Sequence, residues 1–154
     1  MPQPMRVSPD SREVLALQET YVDLLYMAIQ TEHVRWTLRP SGFPLVILLE
    51  GLTTEWRRWS EDVAQQLIVL GVAPDGRVEA IAAHYHNPVR EGWRDPNNVQ
   101  TRILEELGMR ATWCQNRSGE LTPDAAQSAA LLTEIADGIT AQTEALRTYH
   151  PGRH

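Results

Sequence analysis

Apolar residues recur at helical spacing in four stretches of the chain. Within each stretch they are separated by three, four or seven positions, which places them on one side of an α-helix and would scatter them over both faces of a β-strand. The first two stretches carry Val14, Leu17, Tyr21, Leu25, Ile29 and Trp36, and then Leu45, Leu48, Leu52, Trp56, Trp59, Val63, Leu67 and Leu70. The last two carry Val99, Ile103, Leu107, Ala111 and Cys114, and then Ala125, Ala129, Leu132, Ile135, Ile139 and Leu146. This pattern predicts an all-α protein.

Prolines divide the chain at the same places. The ten prolines leave four long windows without proline, at residues 10–39, 45–73, 97–122 and 124–150. Because proline is the strongest breaker of a helix interior, each window predicts one helix. The connection at 74–96 is long enough for a short helix of its own, which we expect over residues 78–83. Four helices with one long central crossover form a ferritin-like four-helix bundle.

Capping residues indicate where these helices begin and end. Ser8, Asp95 and Thr122 each precede a proline, which is the order of an N-cap followed by the first helical position. Gly71 follows the last apolar residue of the second window, where a glycine typically ends a helix. We therefore predict N-caps at Ser8, Asp95 and Thr122 and a C-terminal stop at Gly71.

The composition fits one compact domain. The chain has 154 residues, of which 42% are hydrophobic and 22% charged, an ordinary balance for a globular protein. We expect a single domain over residues 1–154 with short flexible tails at 1–8 and 148–154. The longest apolar run, at 44–49, is too short to span a membrane, and the N-terminus lacks the apolar core of a signal peptide. We therefore expect a cytoplasmic protein with no membrane partner.

The single cysteine and the paired tryptophans have structural interpretations. Cys114 is the only cysteine, which excludes an intramolecular disulfide and a cysteine-based zinc site. It lies on the apolar stripe of the third window, so we expect a buried and inert thiol. Trp56 and Trp59 fit core or interface packing better than a cofactor site.

The charge balance argues against strong DNA binding. The formal net charge is −6, and all 14 basic residues are arginine. Proteins that bind DNA through its phosphates carry a basic patch or tail. Here the termini supply only Arg6, Arg12, Arg147 and Arg153, so we expect DNA binding to be weak or absent.

No standard metal motif stands out on a helix. Ferritin-like bundles hold metal between helices with carboxylates and histidines, often as Glu-x-x-His, and this spacing does not occur here. Glu32 and His33 are adjacent, so their side chains diverge by ~100° around a helix. His84 and His86 flank Tyr85 and could bind a metal together, but without a third ligand the expectation is a pair of surface histidines.

Several segments together resemble the Dps family, the mini-ferritins known as DNA-binding proteins from starved cells. The resemblance covers residues 12–147 and rests on Leu24–Tyr26, Arg35–Arg39, Phe43 with Leu45, Asp62–Leu67, Leu70–Arg77, and Asp124–Gln127 continuing to Leu131–Ile135. It implies a four-helix subunit with a short helix in the central connection and a hollow homo-oligomeric shell, a dodecamer. It also implies iron(II) oxidation at a site shared by two subunits across a two-fold axis, and DNA binding by basic tails in many members.

The two histidine ligands that the resemblance implies are missing from this chain. The family has a histidine immediately before the tryptophan of the first helix, where this chain has Arg35. Its second histidine follows the phenylalanine by about four residues, which corresponds to Ile47 or to Val46. An arginine side chain is always charged and has no lone pair to donate to a metal.

Of the two acidic ligands that the resemblance implies, one is retained and the other is replaced by an amide. The corresponding positions are Glu61 and Gln65, with Asp62 as the acid if the alignment shifts by one. Iron(II) needs several oxygen or nitrogen ligands and an open coordination position, so we expect an inactive two-fold site. Because an unpaired buried carboxylate is costly, we predict that Arg35 of one subunit pairs with Glu61 or Asp62 of its two-fold neighbour.

Other acidic residues are candidates for a replacement metal site or for a pore. If iron is bound at a rearranged site, the candidate ligands are Glu32, His33, Glu50, Glu55, Glu61 and Asp62. In the family, acids at the start of the last helix line three-fold pores. Asp124 matches one such position, Ser128 replaces a second acid, and Glu120 is a candidate substitute.

Three functions follow from these observations. The first is a Dps-like shell that sequesters iron and protects against stress, with oxidation at a rearranged site or on a growing mineral. The second is a shell of ferritin fold without redox chemistry. The third is a DNA-associated stress protein, which the acidic composition disfavours. Since a fold does not fix a function, the ligand residues decide between the first two.

Overall fold

The protein was analysed as a computed structural model that describes residues 7–8, 10–40, 43–84 and 89–150. Five α-helices follow one another: α1 Arg12–Trp36, α2 Phe43–Val69, α3 Val78–Ala82, α4 Pro96–Gly119 and α5 Ala126–Arg147. A short 3-10 turn, Pro123–Ala125, precedes α5. Within the predicted tails, residues 1–6 and 151–154 lie outside the described part, whereas Tyr149 packs against the core.

The four long helices form a ferritin-like bundle, as predicted. Helices α1 and α2 pack as one pair and α4 and α5 as the other. At one end of the bundle, Gln66 of α2 donates to the Ser128 hydroxyl of α5 at 3.1 Å, and Arg117 of α4 donates to the Asp23 carboxylate of α1 at 2.7 Å. The end of α2 and the end of α4 therefore lie at the same end, which makes these two helices parallel and requires a crossover between them.

The crossover is attached to α1 at both of its ends. At its start, the Gln18 amide donates to the Asp75 carbonyl at 2.7 Å and accepts from the Asp75 N–H at 3.0 Å. At its end, the Arg94 N–H donates to the Thr37 carbonyl at 2.9 Å, and the Arg39 N–H donates to the Arg94 carbonyl at 3.1 Å. Helix α3 lies between these anchors, one residue shorter than predicted.

Two of the predicted helix boundaries are confirmed. The Asp95 carboxylate accepts from the N–H of Asn97 at 2.8 Å at the start of α4. Gly71 has a φ of 80°, and the Val72 N–H reaches back to the Leu67 carbonyl at 3.0 Å. That is the hydrogen bond of a Schellman motif, in which glycine is favoured because the left-handed region does not strain it.

The other two boundaries differ from the prediction. Helix α1 is capped by Ser11, whose hydroxyl accepts from the Val14 N–H at 3.2 Å, whereas Ser8 forms the preceding turn by accepting from the Ser11 N–H at 3.0 Å. Thr122 makes no side-chain capping bond and starts the 3-10 turn instead, so α5 begins at Ala126. Proline is thus compatible with a turn before a helix as well as with its first position.

The predicted apolar stripe is correct in α2, α4 and α5 and wrong in the second half of α1. Ile29 and Trp36 are 45% and 72% exposed, although the stripe placed them in the core. Successive steps of four residues advance by about 40° around a helix at each step, so the predicted stripe rotated away from the bundle. The core positions there are Leu24, Met27, Ala28, Thr31 and Val34.

The close approach of α2 and α5 depends on a glycine. A Cβ atom at position 138 would lie 2.3 Å from Cζ2 of the buried Trp59 ring. We expect Gly138→Ala to lower the free energy of unfolding by about 1–3 kcal/mol, as overpacking does. The matched control is Gly108→Ala in α4, where the new methyl group meets nothing within 4 Å. That change should raise stability by up to about 1 kcal/mol.

Urea denaturation of the two variants checks this prediction. The opposite signs are diagnostic, because both substitutions exchange the same residue types inside a helix. A Gly138→Ala variant as stable as the Gly108→Ala variant would contradict the packing of α2 against α5 through Trp59.

Candidate functional site

The positions that the resemblance assigns to metal ligands lie on the outer surface of the α1–α2 pair. Ile47, Glu61 and Gln65 of α2 are all exposed, and their spacing places them on one side of the helix together with Glu50. Arg35 comes from the last turn of α1 and reaches the same surface. We call the surface formed by Arg35, Ile47, Glu50, Glu61 and Gln65 the α1–α2 face.

Arg35 stands at the position that the resemblance assigns to a histidine ligand, and it forms an ion pair. One guanidinium nitrogen of Arg35 lies 3.5 Å from a carboxylate oxygen of Glu50. The same guanidinium stacks over the Trp36 ring, 5.2 Å from the ring centroid. The Arg35 side chain is 19% exposed and that of Glu50 is 64% exposed. A fixed positive charge at this point repels a metal cation and occupies one of the few carboxylates nearby.

A second ion pair occupies another candidate ligand. Arg57 of α2 donates to the Glu32 carboxylate of α1 at 2.9 Å, and both side chains are about half exposed. The neighbouring His33 is exposed and contacts neither group through a hydrogen bond described here. Such solvated pairs stabilise a protein by at most about 1 kcal/mol each. Their chief effect is to neutralise Glu32 and, on the α1–α2 face, Glu50.

The remaining acids of this region do not converge on one point. Glu61 is exposed and Asp62 half-buried on the single chain, so the predicted pairing of Arg35 across a two-fold axis stays a prediction. Glu55 is turned toward α5, where its carboxylate accepts from the Gln142 amide at 2.5 Å. Within the described residues of one chain, no three His, Cys, Asp or Glu side chains are grouped to hold a metal ion. The described acids of one chain therefore do not form a metal site by themselves.

Of the three residues considered for the pore, two are exposed and one is buried. Asp124 and Glu120 are exposed at the junction of α4 and α5. Ser128 is fully buried, and its hydroxyl donates to the Glu13 carboxylate at 2.7 Å while it accepts from Gln66. Ser128 therefore links three helices inside the bundle, and only Asp124 and Glu120 remain as pore candidates.

Of the two histidines expected at the surface, His84 lies within the described residues. His84 is half-buried, and its Nδ1 lies 3.0 Å from the Ala80 carbonyl. His86 lies outside the described residues.

Two buried polar side chains were missed by sequence reasoning. Gln142 accepts from the Trp56 indole N–H at 2.7 Å in the core between α2 and α5. Arg110 is 2% exposed, and its guanidinium lies over the ring of Tyr26 at 5.3 Å. A signal existed for both, since each residue is separated by three or four positions from apolar residues of its own helix stripe.

Cys114 is buried, as predicted. It is 2% exposed, and its thiol donates to the Leu132 carbonyl at 3.1 Å. Burial raises the pKa of the Cys114 thiol to about 12, so the group stays protonated, and the thiolate scarce, at every pH well below that value. We expect alkylation by iodoacetamide at pH 8 to be at least about a hundredfold slower than in the unfolded chain.

Mass spectrometry of timed samples, with and without denaturing urea, measures this difference. Labelling of the native protein at the rate of the denatured control would show that the thiol is accessible and would contradict its burial between α4 and α5.

Comparisons with known proteins identify the fold. No protein-family sequence profile matches the chain, and no curated protein matches it in sequence. A Dps protein of Deinococcus radiodurans has a similar structure, with a TM-score of 0.83 and 23% identity over 88% of this chain and 84% of that one. Dps of Mycobacterium smegmatis gives 0.81 at 16% identity over 95% and 93% of the two chains. Dps of Microbacterium arborescens gives 0.80 at 17% identity over 93% and 96%. The chain therefore has the fold of Dps proteins, as the sequence resemblance implied.

Among the described residues, none of the helices combines the length and the apolar character needed to cross a bilayer.

Proposed function

We propose that this chain is the subunit of a Dps-type shell that sequesters iron under stress, with a two-fold ferroxidase site that has lost its ligands. The Arg35–Glu50 ion pair carries the proposal, because it occupies the α1–α2 face where the family holds its metal. The structural likeness to Dps proteins, one of which was solved in a high iron form, supports the shell and its cargo.

The chemistry of the α1–α2 face argues against iron oxidation there. Iron(II) binds carboxylate and imidazole groups, whereas this surface offers a guanidinium, an aliphatic side chain and an amide at Arg35, Ile47 and Gln65. Glu61 is the one acid retained in register. Iron would then be oxidised slowly on a growing mineral rather than at the two-fold site, and the runner-up is a shell that holds no iron at all.

Large apolar side chains that are exposed on α1 and α2 support assembly, and one of them, Ile47, belongs to the α1–α2 face. Ile29 and Trp36 of α1 are 45% and 72% exposed, and Phe43 and Ile47 of α2 are 66% and 58% exposed. A cluster of large apolar side chains on a surface marks an interaction site, and aromatic residues are enriched in subunit contacts. In the proposed shell a second subunit covers this surface and brings its own Glu61 and Asp62 toward Arg35.

Light scattering of the purified protein tests the shell. We expect a dodecamer of the 17.4 kDa subunit, and we expect Ile47→Glu to dissociate it by placing a charge in an apolar contact. Ala141→Glu, on the exposed side of α5, is the control that should still assemble. A monomeric wild-type protein would overturn the shell. Iron that elutes apart from the assembled protein after slow loading would favour the empty shell instead.

We also propose that the shell binds DNA weakly or not at all. The net charge of −6 and the absence of lysine leave few groups to replace the counterions of DNA. A mobility shift at low salt comparable to that of a basic DNA-binding protein would contradict this.

A further inference from the structure

A cavity of about 460 Å³ lies between α1, the first half of α4 and the residues that lead into α4. Its apolar lining includes Met27, Val34, Trp56, Trp93, Ile103 and Leu107. Its polar lining includes Tyr26, Arg94 and Arg102. A cavity of this size with apolar walls and a few convergent polar groups is typical of a small-molecule site.

Several hydrogen-bond donors in and beside the polar lining of the cavity have no hydrogen-bond partner among the described residues. Five side-chain atoms in the described part of the chain are shut off from solvent and have no hydrogen-bond partner: the Tyr26 hydroxyl, and Nε and Nη2 of both Arg94 and Arg110. All five belong to groups that donate, and no carboxylate or amide oxygen is among them. Tyr26 and Arg94 line the cavity, and the Arg110 guanidinium lies over the Tyr26 ring. Unpaired buried donors are costly, so a ligand that brings acceptors is favoured.

Two of the three acids that line the cavity have partners other than Arg94, and the third is exposed. Asp95 caps α4 through the N–H of Asn97 at 2.8 Å. Glu106 pairs with Arg110, four residues further along α4. Glu105 lies on the exposed side of the same helix. Among the described residues, none of these carboxylates forms an ion pair with Arg94.

The positive charge of Arg102 adds to the preference for an anionic ligand beside Arg94. The pKa of the Arg94 guanidinium is lowered, first by burial and then by repulsion from Arg102. An anion placed beside Arg94 would relieve both effects, because it supplies acceptors and opposes the repulsion. A cationic ligand would add to them.

We propose that this cavity binds a small organic carboxylate, with the carboxylate at Arg94 and Tyr26 and an apolar body against Ile103 and Trp93. The planar fork of an arginine matches a carboxylate with two parallel hydrogen bonds. The apolar walls require a body that a bare inorganic anion lacks. The site is separate from the α1–α2 face and does not depend on iron.

The structure allows a clean test at Arg94. Its main chain is held by Thr37 and Arg39 through backbone hydrogen bonds, and these do not involve the side chain. Arg94→Gln should therefore keep the fold while it removes the charge. Arg90→Gln is the matched control, since Arg90 is an exposed arginine four residues earlier and is not part of the cavity.

The experiment is titration calorimetry of the purified protein at low salt, with benzoate as the probe and quenching of tryptophan fluorescence as the second readout. Trp56 and Trp93 both line the cavity, so bound benzoate should alter their emission. We expect benzoate to bind, and its uncharged analogue benzamide to bind at least about tenfold more weakly. Arg94→Gln should weaken benzoate binding at least about tenfold and Tyr26→Phe severalfold, while Arg90→Gln leaves it unchanged.

Three outcomes would overturn the proposal. Benzoate that does not bind, or that binds Arg94→Gln as well as wild type, would remove the assigned carboxylate contact. Inorganic phosphate that displaces benzoate at equal concentration would show that the charge alone is recognised and that the apolar wall is not. Thermal melting of each variant verifies that a loss of binding is not a loss of fold.

Discussion

Replacing Trp56 by alanine is expected to lower the free energy of unfolding by about 3–5 kcal/mol, the range for a large aromatic removed from a core. The Trp56 side chain is 1% exposed, and its indole N–H donates to Gln142 at 2.7 Å. Gln142 in turn donates to Glu55 at 2.5 Å. The substitution leaves a cavity and a buried amide oxygen without its donor, and both effects destabilise the fold.

Thermal denaturation at equal protein concentration measures this effect. For a chain of this length, about 3–5 kcal/mol corresponds to a melting temperature lower by about 10 °C. Trp93→Ala is the control, because Trp93 is 70% exposed and its loss should shift the melting temperature by little. Equal shifts for the two variants would show that Trp56 is not a core residue.

Introducing the family's ligands is expected to accelerate iron oxidation. The triple variant Arg35→His, Ile47→His and Gln65→Glu removes the guanidinium, breaks its pair with Glu50 and adds three donors beside Glu61. Since weaker changes in the surroundings of a metal alter affinity or activity by about 10- to 100-fold, we expect oxidation at least about tenfold faster than with the natural chain.

Stopped-flow absorbance after aerobic addition of iron(II) measures the rate. Gln65→Glu alone is the control, because Arg35 and Ile47 still block the site, and it should oxidise iron no faster than the natural chain. A triple variant that assembles yet stays at the natural rate would show that the correspondence of these positions to the family's ligands is wrong.

The bundle could be predicted from the sequence because helices leave strong local marks. The three- and four-residue spacing of α2, from Leu45 to Leu70, and the cap at Asp95 depend only on the local chain. The second half of α1 could not be predicted in the same way. Ile29 and Trp36 fit a helical stripe as well as Met27 and Val34 do, and only packing against the other helices selects which set is buried.

The sequence indicated which positions to consider for the candidate site, but it could not indicate which side chains form ion pairs there. The loss of ligands at Arg35, Ile47 and Gln65 can be inferred from the resemblance alone. The Arg35–Glu50 pair could not be predicted, because these residues lie on different helices and meet only when α1 and α2 pack. Arg110 and Gln142 were overlooked for a similar reason. A polar residue within an apolar stripe is ambiguous until its partners are known.

We propose that the α1–α2 face does not oxidise iron, and the initial rate of aerobic iron(II) oxidation is the decisive measurement. It compares the purified, assembled protein at low iron loading with buffer alone. We expect equal initial rates, because Arg35, Ile47 and Gln65 offer no ligand set for iron(II). Rapid oxidation with iron that elutes together with the protein would contradict it and would require a metal site involving Glu32, His33, Glu50, Glu61 or Asp62.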